Sequence, residues 1–166
     1  MHKLLSLIIP VLLGVAVCNA DEIFAEDKNV QIESVLETAE KFFLSLQTRD
    51  YNNAWALLSE KSRRTIINDV YKTYHKMGGS TRKEDVIKNF DDRGAMFNNY
   101  WDAFLESFHP AIILEESNWE IGFLSGLNAE IIITHKKSKN PANLKLIKEN
   151  DSWKVGLVET FWTRKL

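Results

Sequence analysis

The feature that most constrains the fold is a change of sequence pattern at Pro110. Before Pro110, apolar residues recur every three or four positions, which is the spacing of amphipathic helices. After Pro110, short β-branched and aromatic runs alternate with turn residues, which is typical of strands joined by hairpins. A chain whose helices precede its strands is expected to form an α+β domain. In such a domain the N-terminal helices pack on a curved antiparallel sheet.

The apolar spacing predicts five helices before Pro110, separated by turn residues. Gly78 and Gly79 are expected to end the third helix, since glycine accepts the left-handed conformation past a helix end. The run 91–94, Asp-Asp-Arg-Gly, is expected to separate the last two. The predicted elements are a helix over Val30–Thr48, a short helix capped by Asp50 or Asn52, a helix through Ile66–Met77, a helix starting at the Thr81–Glu84 capping box, and a helix over Phe97–Phe108.

Five strands are predicted after Pro110, with turns rich in Gly, Asn, Asp and Ser between them. Short connections favour hairpins, and hairpins build an antiparallel sheet. The predicted strands are Ala111–Leu114, Trp119–Leu124, Ala129–His135, Leu144–Lys148 and Trp153–Phe161.

Residues 1–20 have the layout of a cleaved secretory signal peptide, with a basic start, an apolar stretch and small residues at Cys18 and Ala20. Cleavage is expected after Ala20, which predicts a periplasmic or secreted protein with no transmembrane span in the mature chain. The alternative is a lipoprotein anchored at Cys18. Residues 21–29 are interpreted as a flexible leader, and residues 30–166 as one domain.

Composition narrows the classes of partner and chemistry. The net charge is −2 and the hydrophobic content 45%, so no charge excess indicates nucleic acid or an anionic membrane as the main partner. Cys18 is the only cysteine, so a mature chain without it has neither a disulfide nor a thiol nucleophile. The four histidines lack the spacing of a zinc site. No metal and no cofactor are expected.

Two segments resemble the nuclear transport factor 2-like superfamily. The first is Ala39–Leu46 followed by Asp50–Ser59, which carries the turn Asp-Tyr-Asn-Asn-Ala. The second is Asn128–Ile133 followed by Glu149–Val155, with a charged turn before Trp-Lys-Val. The resemblance implies a cone in which a curved antiparallel sheet wraps around helices. It implies isomerase-like enzymes, carriers of lipids or accessory domains as functions.

The resemblance also implies where an enzyme of this type would hold its reacting groups. Isomerases of the superfamily place a tyrosine on the first helix, where this chain has Phe42 and Phe43. The enzyme hypothesis therefore rests on Tyr51 with Asp91 or Asp92, which would have to face the inside of the cone.

Aromatic residues are the main candidates for a binding site. The helical spacing of Phe97–Phe108 favours core packing, and a curved sheet over such a helix often leaves an apolar cavity beside it. The pocket candidates are Tyr51, Trp55, Tyr100, Trp101, Phe104, Trp119 and Trp153. Three functions remain open: a non-catalytic domain that binds a small apolar ligand or a partner protein, a ketosteroid-isomerase-like enzyme, and an accessory subunit of an envelope complex. The sequence does not indicate an oligomeric state.

Overall fold

Within residues 20–161, seven helices pack on a four-stranded antiparallel sheet, so the predicted α+β class is confirmed. The computed structural model describes residues 20–161, and side chains from Asp27 onward. The predicted signal sequence up to residue 19 and Cys18 lie outside the described residues. The elements are α1 Ala20–Gln47, α2 Tyr51–Ala56, α3 Glu60–Lys76, α4 Lys83–Asp91, α5 Ala95–Ser107, α6 Pro110–Glu115, β1 Ser117–Ser125, β2 Asn128–His135, β3 Ala142–Glu149, β4 Ser152–Gly156 and α7 Leu157–Phe161.

The first helix is longer than the sequence pattern indicates. It begins at Ala20 rather than Val30, so residues 21–29, interpreted as a leader, are its first turns. Its predicted apolar stripe is buried at Val35, Ala39 and Leu46, and Phe42 beside it is also wholly inaccessible. This helix contacts α2, α6 and β4, so it forms the centre of the helical layer.

The helix boundaries after α1 follow local backbone chemistry. Asp50 caps α2 by accepting a hydrogen bond from the Asn53 amide at 3.1 Å, as predicted. Gly78, at φ 83°, follows the end of α3. The predicted capping box at Thr81 is wrong. The residue at the N-cap of α4 is Arg82, whose side chain instead pairs with Asp85.

Two predicted strands are corrected by the structure. Ala111–Leu114 belongs to α6, because Pro110 at the first helical position has the φ angle a helix needs and no N–H to leave unpaired. The last strand ends at Gly156, and the chain continues as α7. Beyond Gly156, β3 has no further partner residue on β4. The Thr160 hydroxyl of α7 instead accepts a hydrogen bond from the Lys145 amide of β3 at 2.9 Å.

The sheet is a meander in the order β1-β2-β3-β4. Alternate residues of its strands face the helices and are buried, as in Ile131, Leu144 and Val155. The register shifts between Ile121 and Phe123 of β1, and such a bulge bends the strand.

The outer edge of β4 is covered by the connection between α2 and α3. The Val155 amide donates to Leu57 O at 2.8 Å, and the Ser59 amide donates to Val155 O at 2.9 Å. Covering an edge in this way satisfies backbone groups that would otherwise pair with another chain. The α2–α3 connection is therefore held against the sheet, and it sets where α3 begins.

Candidate binding site

Five of the seven predicted pocket residues form one packed cluster on α2 and α5. Trp101 lies at its centre with 0% of its surface exposed. Its ring centroid lies 5.2 Å from Tyr100, 5.7 Å from Phe104, 6.0 Å from Tyr51 and 6.4 Å from Trp55. Such edge-to-face and stacked contacts are favourable beyond the area they bury. These residues therefore form the core beneath the sheet, and their side chains fill the space between helices.

Trp119 and Trp153 lie away from this centre. Trp119, on β1, contacts the Phe43 ring at 5.7 Å between centroids, and its indole N–H donates to Ile113 O at 2.9 Å. Trp153, on β4, is buried but makes no ring contact within residues 27–161. The seven residues therefore do not surround a shared space.

Four hollows lie at the margins of this core and have volumes between about 300 and 460 Å³. Trp119, Trp55 and Tyr100 each line a different one. Tyr51, Trp101, Phe104 and Trp153 line none of these four. Three of the seven aromatic residues therefore line a hollow, and each of the three lines a different one.

The most apolar of the four hollows lies between α3 and α5, and we call it the α3–α5 groove. It has a volume of about 300 Å³, at the lower end of the range for small-molecule sites. Hydrocarbon and aromatic groups make up most of its surface, with Asp69 as the charged residue. Its lining includes Asp69, Val70, Tyr74, Met96, Tyr100 and Ala103.

Tyr100 connects the groove to the aromatic core. Its hydroxyl is buried and has no hydrogen-bond partner on the described residues. Burial, together with the negative charge of Asp69, raises the pKa of Tyr100. Buried polar groups without partners are uncommon in folded proteins and destabilise them. The groove therefore adjoins a neutral hydroxyl whose hydrogen-bonding capacity is not used by the fold.

The residues of the enzyme hypothesis are not assembled. The Tyr51 hydroxyl donates to Asp102 Oδ1 at 2.6 Å, and Arg49 Nη1 donates to the same oxygen at 2.8 Å. Burial and the Asp102 acceptor raise the pKa of Tyr51. Asp91 and Asp92 are exposed at the end of α4, where Asp92 pairs with Lys88 at 2.8 Å. No contact links Tyr51 to either aspartate in the described part of the chain.

Sequence reasoning missed a buried polar cluster at the start of α3. Ser59 and Ser62 are wholly buried and donate to the two carboxylate oxygens of Glu159, at 2.9 and 2.8 Å. The amide of Val158 donates to Ser62 Oγ at 3.0 Å. The Ser-x-x-Ser spacing of Ser59 and Ser62 at a helix start was the sequence signal for this cluster. Its acceptor, Glu159, lies 97 residues after Ser62, so a local pattern cannot identify it. This cluster fastens α7 to α3 and contains no histidine that would activate a serine.

The described side chains form no candidate metal site. Within residues 20–161, no group of three His, Cys, Asp or Glu side chains is placed to hold a metal ion. No helix in that same range combines the length and hydropathy needed to cross a membrane.

Comparison with protein-family models, with curated proteins and with solved structures gives no match for this chain. The function of the protein therefore has to be inferred from the geometry of its described residues.

Proposed function

We propose that the protein is an exported, non-catalytic domain of the nuclear transport factor 2-like type that binds a small apolar ligand in the α3–α5 groove. The observation that carries this proposal is an apolar hollow of about 300 Å³ beside the buried, unpartnered hydroxyl of Tyr100. Export is proposed from the signal-peptide layout of residues 1–20.

The packing of the core supports a site at its margin rather than inside the cone. Trp101, Phe42 and Phe97 are at most 1% exposed and fill the space that a ligand inside the cone would need. Cores are packed as densely as organic crystals, so a guest there would have to displace these rings. In the α3–α5 groove, by contrast, the ligand covers Val70, Met96 and the Tyr100 ring without disturbing them.

The groove also supports a ligand with one polar group. An apolar molecule gains about 25 cal/mol for each Å² of apolar surface it removes from water. A single hydroxyl or carbonyl on that molecule supplies a partner for Tyr100. A neutral ring compound with one hydroxyl, such as 2-naphthol, is therefore the first probe to use.

The test compares the thermal unfolding of the chain with and without 2-naphthol. A ligand that binds only the folded state stabilises it by about 2.7 kcal/mol at 100 times its dissociation constant. Ala103→Phe fills the groove from the exposed side of α5, so it should abolish the shift. Ala95→Phe makes the same change on the same helix outside the groove lining, so it should preserve the shift.

Loss of the shift in both variants, or in neither, would contradict the groove as the binding site. Absence of any shift with 2-naphthol, quinones and fatty acids would contradict the apolar-ligand proposal as a whole. Co-purification of one envelope protein with the chain in that case would favour the accessory-subunit function.

The isomerase-like alternative has less support from the geometry. A raised tyrosine pKa suits a hydrogen-bond donor, but the Tyr51 hydroxyl already donates to Asp102, and neither Asp91 nor Asp92 contacts it among the described residues. If Asp91→Asn or Asp92→Asn removed a turnover that the parent chain shows, the non-catalytic proposal would be overturned.

A further inference from the structure

A second hollow, of about 400 Å³, lies between α2, the first half of α3 and the α4–α5 turn. It shares no lining residue with the α3–α5 groove. Its charged lining consists of Arg63, Arg64, Arg93, Glu60 and Asp91, and Trp55 contributes a nearly buried ring. We call it the arginine hollow.

Arg63 is the first unusual feature of this hollow. The residue is half-buried on α3, yet its guanidinium makes no hydrogen bond, ion pair or ring contact within residues 27–161. A charged group withdrawn from water normally has a partner, because its loss of hydration is otherwise uncompensated. The fold therefore holds a positive charge beside an accessible hollow without using it internally.

Arg93 is the second unusual feature. It follows α4 with φ 56°, in the left-handed region where glycine is the usual residue, and Gly94 comes one position too late to relieve it. Its guanidinium lies 4.9 Å from the centroid of Phe97 and donates to Phe90 O. These two contacts fix the orientation of the guanidinium but supply no negative charge. Strained residues of this kind concentrate at functional sites.

The acidic residues of the hollow do not neutralise these two arginines. Glu60 pairs with Arg64 at 3.5 Å, and both side chains are exposed. Asp91 is exposed and forms no ion pair with any of the three arginines. The lining as a whole carries one more positive than negative charge. Arg63 and Arg93, which are half-buried as residues, are the two arginines without a carboxylate partner among the described residues.

We propose that the arginine hollow binds the oxyanion of a small organic molecule, a carboxylate or a phosphate monoester, through Arg63 and Arg93. Guanidinium groups recognise both oxyanions through paired N–H donors in one plane. A volume of about 400 Å³ exceeds what the oxyanion alone needs, so the hydrocarbon part of the molecule lies against Trp55. This site is independent of the one in the α3–α5 groove, and either can fail without the other.

The test titrates the full chain with phenyl phosphate, benzoate, inorganic phosphate and the neutral analogue benzyl alcohol, by calorimetry and by tryptophan fluorescence. Phenyl phosphate and benzoate should bind, inorganic phosphate should bind more weakly, and benzyl alcohol should not bind. The dissociation constant of phenyl phosphate should rise with ionic strength, because salt screens the attraction.

Two variants and a matched control assign the binding to the hollow. Arg63→Gln and Arg93→Gly should each weaken phenyl phosphate binding about tenfold or more, as expected for loss of a charged hydrogen bond. Arg82→Gln removes an arginine that is exposed and already paired with Asp85 at 2.9 Å, so it should leave the dissociation constant unchanged within about twofold.

Arg93→Gly also separates a binding role from a structural one. Glycine adopts φ 56° without strain, so the variant should lose binding while its melting temperature stays unchanged or rises. The proposal is overturned if benzyl alcohol binds as well as phenyl phosphate, if Arg63→Gln binds like the parent chain, or if phenyl phosphate shows no binding at ~10 mM.

Discussion

The two ends of α3 are held in different ways. At its start, Ser59 accepts from the Ser62 amide at 3.0 Å, and the Glu60 amide donates to both carboxylate oxygens of Glu149, at 3.0 and 3.1 Å. Ser62 in turn bonds Glu159. Two free N–H groups of the helix start are thus met by the Ser59 hydroxyl and by the Glu149 carboxylate of β3. The Glu159 carboxylate of α7 accepts from the Ser59 and Ser62 hydroxyls, and both carboxylates suit the positive end of the helix dipole.

Among residues 27–161, the last turn of α3 shows no comparable attachment. Met77 is 80% exposed, and the Thr73 hydroxyl donates to Asp69 O within the same helix. Val70 and Tyr74 line the α3–α5 groove. The start of α3 is therefore held by hydrogen bonds to β3 and α7, whereas its second half lines the α3–α5 groove.

Under the proposed function, this difference would let one helix combine two tasks. A site that admits a ligand needs an element that can adjust locally, and such elements open at a lower free-energy cost than the core around them. Attachment at one end of α3 would preserve the orientation of the helix while the groove adjusts to the proposed ligand.

The largest expected effect tests the core beneath the groove. Trp101→Ala should lower the free energy of unfolding by about 3–5 kcal/mol, because it removes a fully buried ring from the centre of the aromatic cluster. Urea denaturation measures this loss. A loss of less than about 1 kcal/mol would mean that the groove lies on a loosely packed base, and the contrast between the two ends of α3 would disappear.

The next effect compares the two ends directly by deleting one hydroxyl from each. Ser62→Ala should cost about 1–3 kcal/mol, since Glu159 loses a donor and the Val158 amide loses its acceptor in a buried place. Thr73→Ala should change the free energy of unfolding by less than about 0.5 kcal/mol. Equal costs for the two variants would refute the comparison. A Ser62/Glu159 double-mutant cycle would isolate the pairwise contribution.

A smaller effect concerns Tyr100 at the open end. Tyr100→Phe removes a buried hydroxyl without a partner on the described residues, so at neutral pH it should leave the stability unchanged or raise it by up to about 1 kcal/mol. A clear loss of stability would show that the hydroxyl has a partner in solution and would weaken its role as a ligand group.

The pH dependence of the same variant gives an independent measurement. Because the pKa of Tyr100 is raised above the value of 10.0 that applies when the chain unfolds, its contribution is intact below pH 10. That contribution is lost as the pH rises further, since the unfolded chain ionises first. The free energy of unfolding should therefore fall above pH 10 in the parent chain and fall less steeply in Tyr100→Phe. Parallel curves for the two proteins would contradict the raised pKa.

The smallest expected effect is at the exposed end of α3. Met77→Lys should alter the free energy of unfolding by no more than about 0.5 kcal/mol, because its side chain is mostly in water. A larger loss, measured by the same denaturation, would show that this end is also fastened.

Much of the fold follows from sequence because its elements are specified locally. The apolar spacing of α1 and α5, the Asp50 cap and the Gly78 stop each depend on neighbouring residues, and all are present in the structure. The two wrongly predicted strand segments are short apolar runs. The segments now known as α6 and α7 have β-branched and aromatic residues, and their helical form depends on Pro110 and on bonds to distant residues.

The candidate site was less predictable. The sequence singled out the aromatic residues as a group, but whether a ring lines a hollow or fills the core depends on how α3 lies against α5. Only Tyr100 of the α5 set opens on the α3–α5 groove. Arg63 and Arg93 lie 30 positions apart and lack any shared motif, so their convergence is a property of the tertiary structure.

The bonds between α7 and α3 also bear on the order in which the chain is completed. Ribosomes deliver the N-terminus first, and the Glu159 carboxylate follows Ser59 by 100 residues. Until residue 159 has emerged, the start of α3 lacks one of its acceptors and Ser62 lacks its donor from Val158. Contacts so distant in sequence form late, so the start of α3 stays without these bonds until residue 159 has been synthesised. Chains that stop before Glu159 would therefore lack a partner for the N-cap of α3, 100 positions earlier, and α3 would be more accessible to proteases.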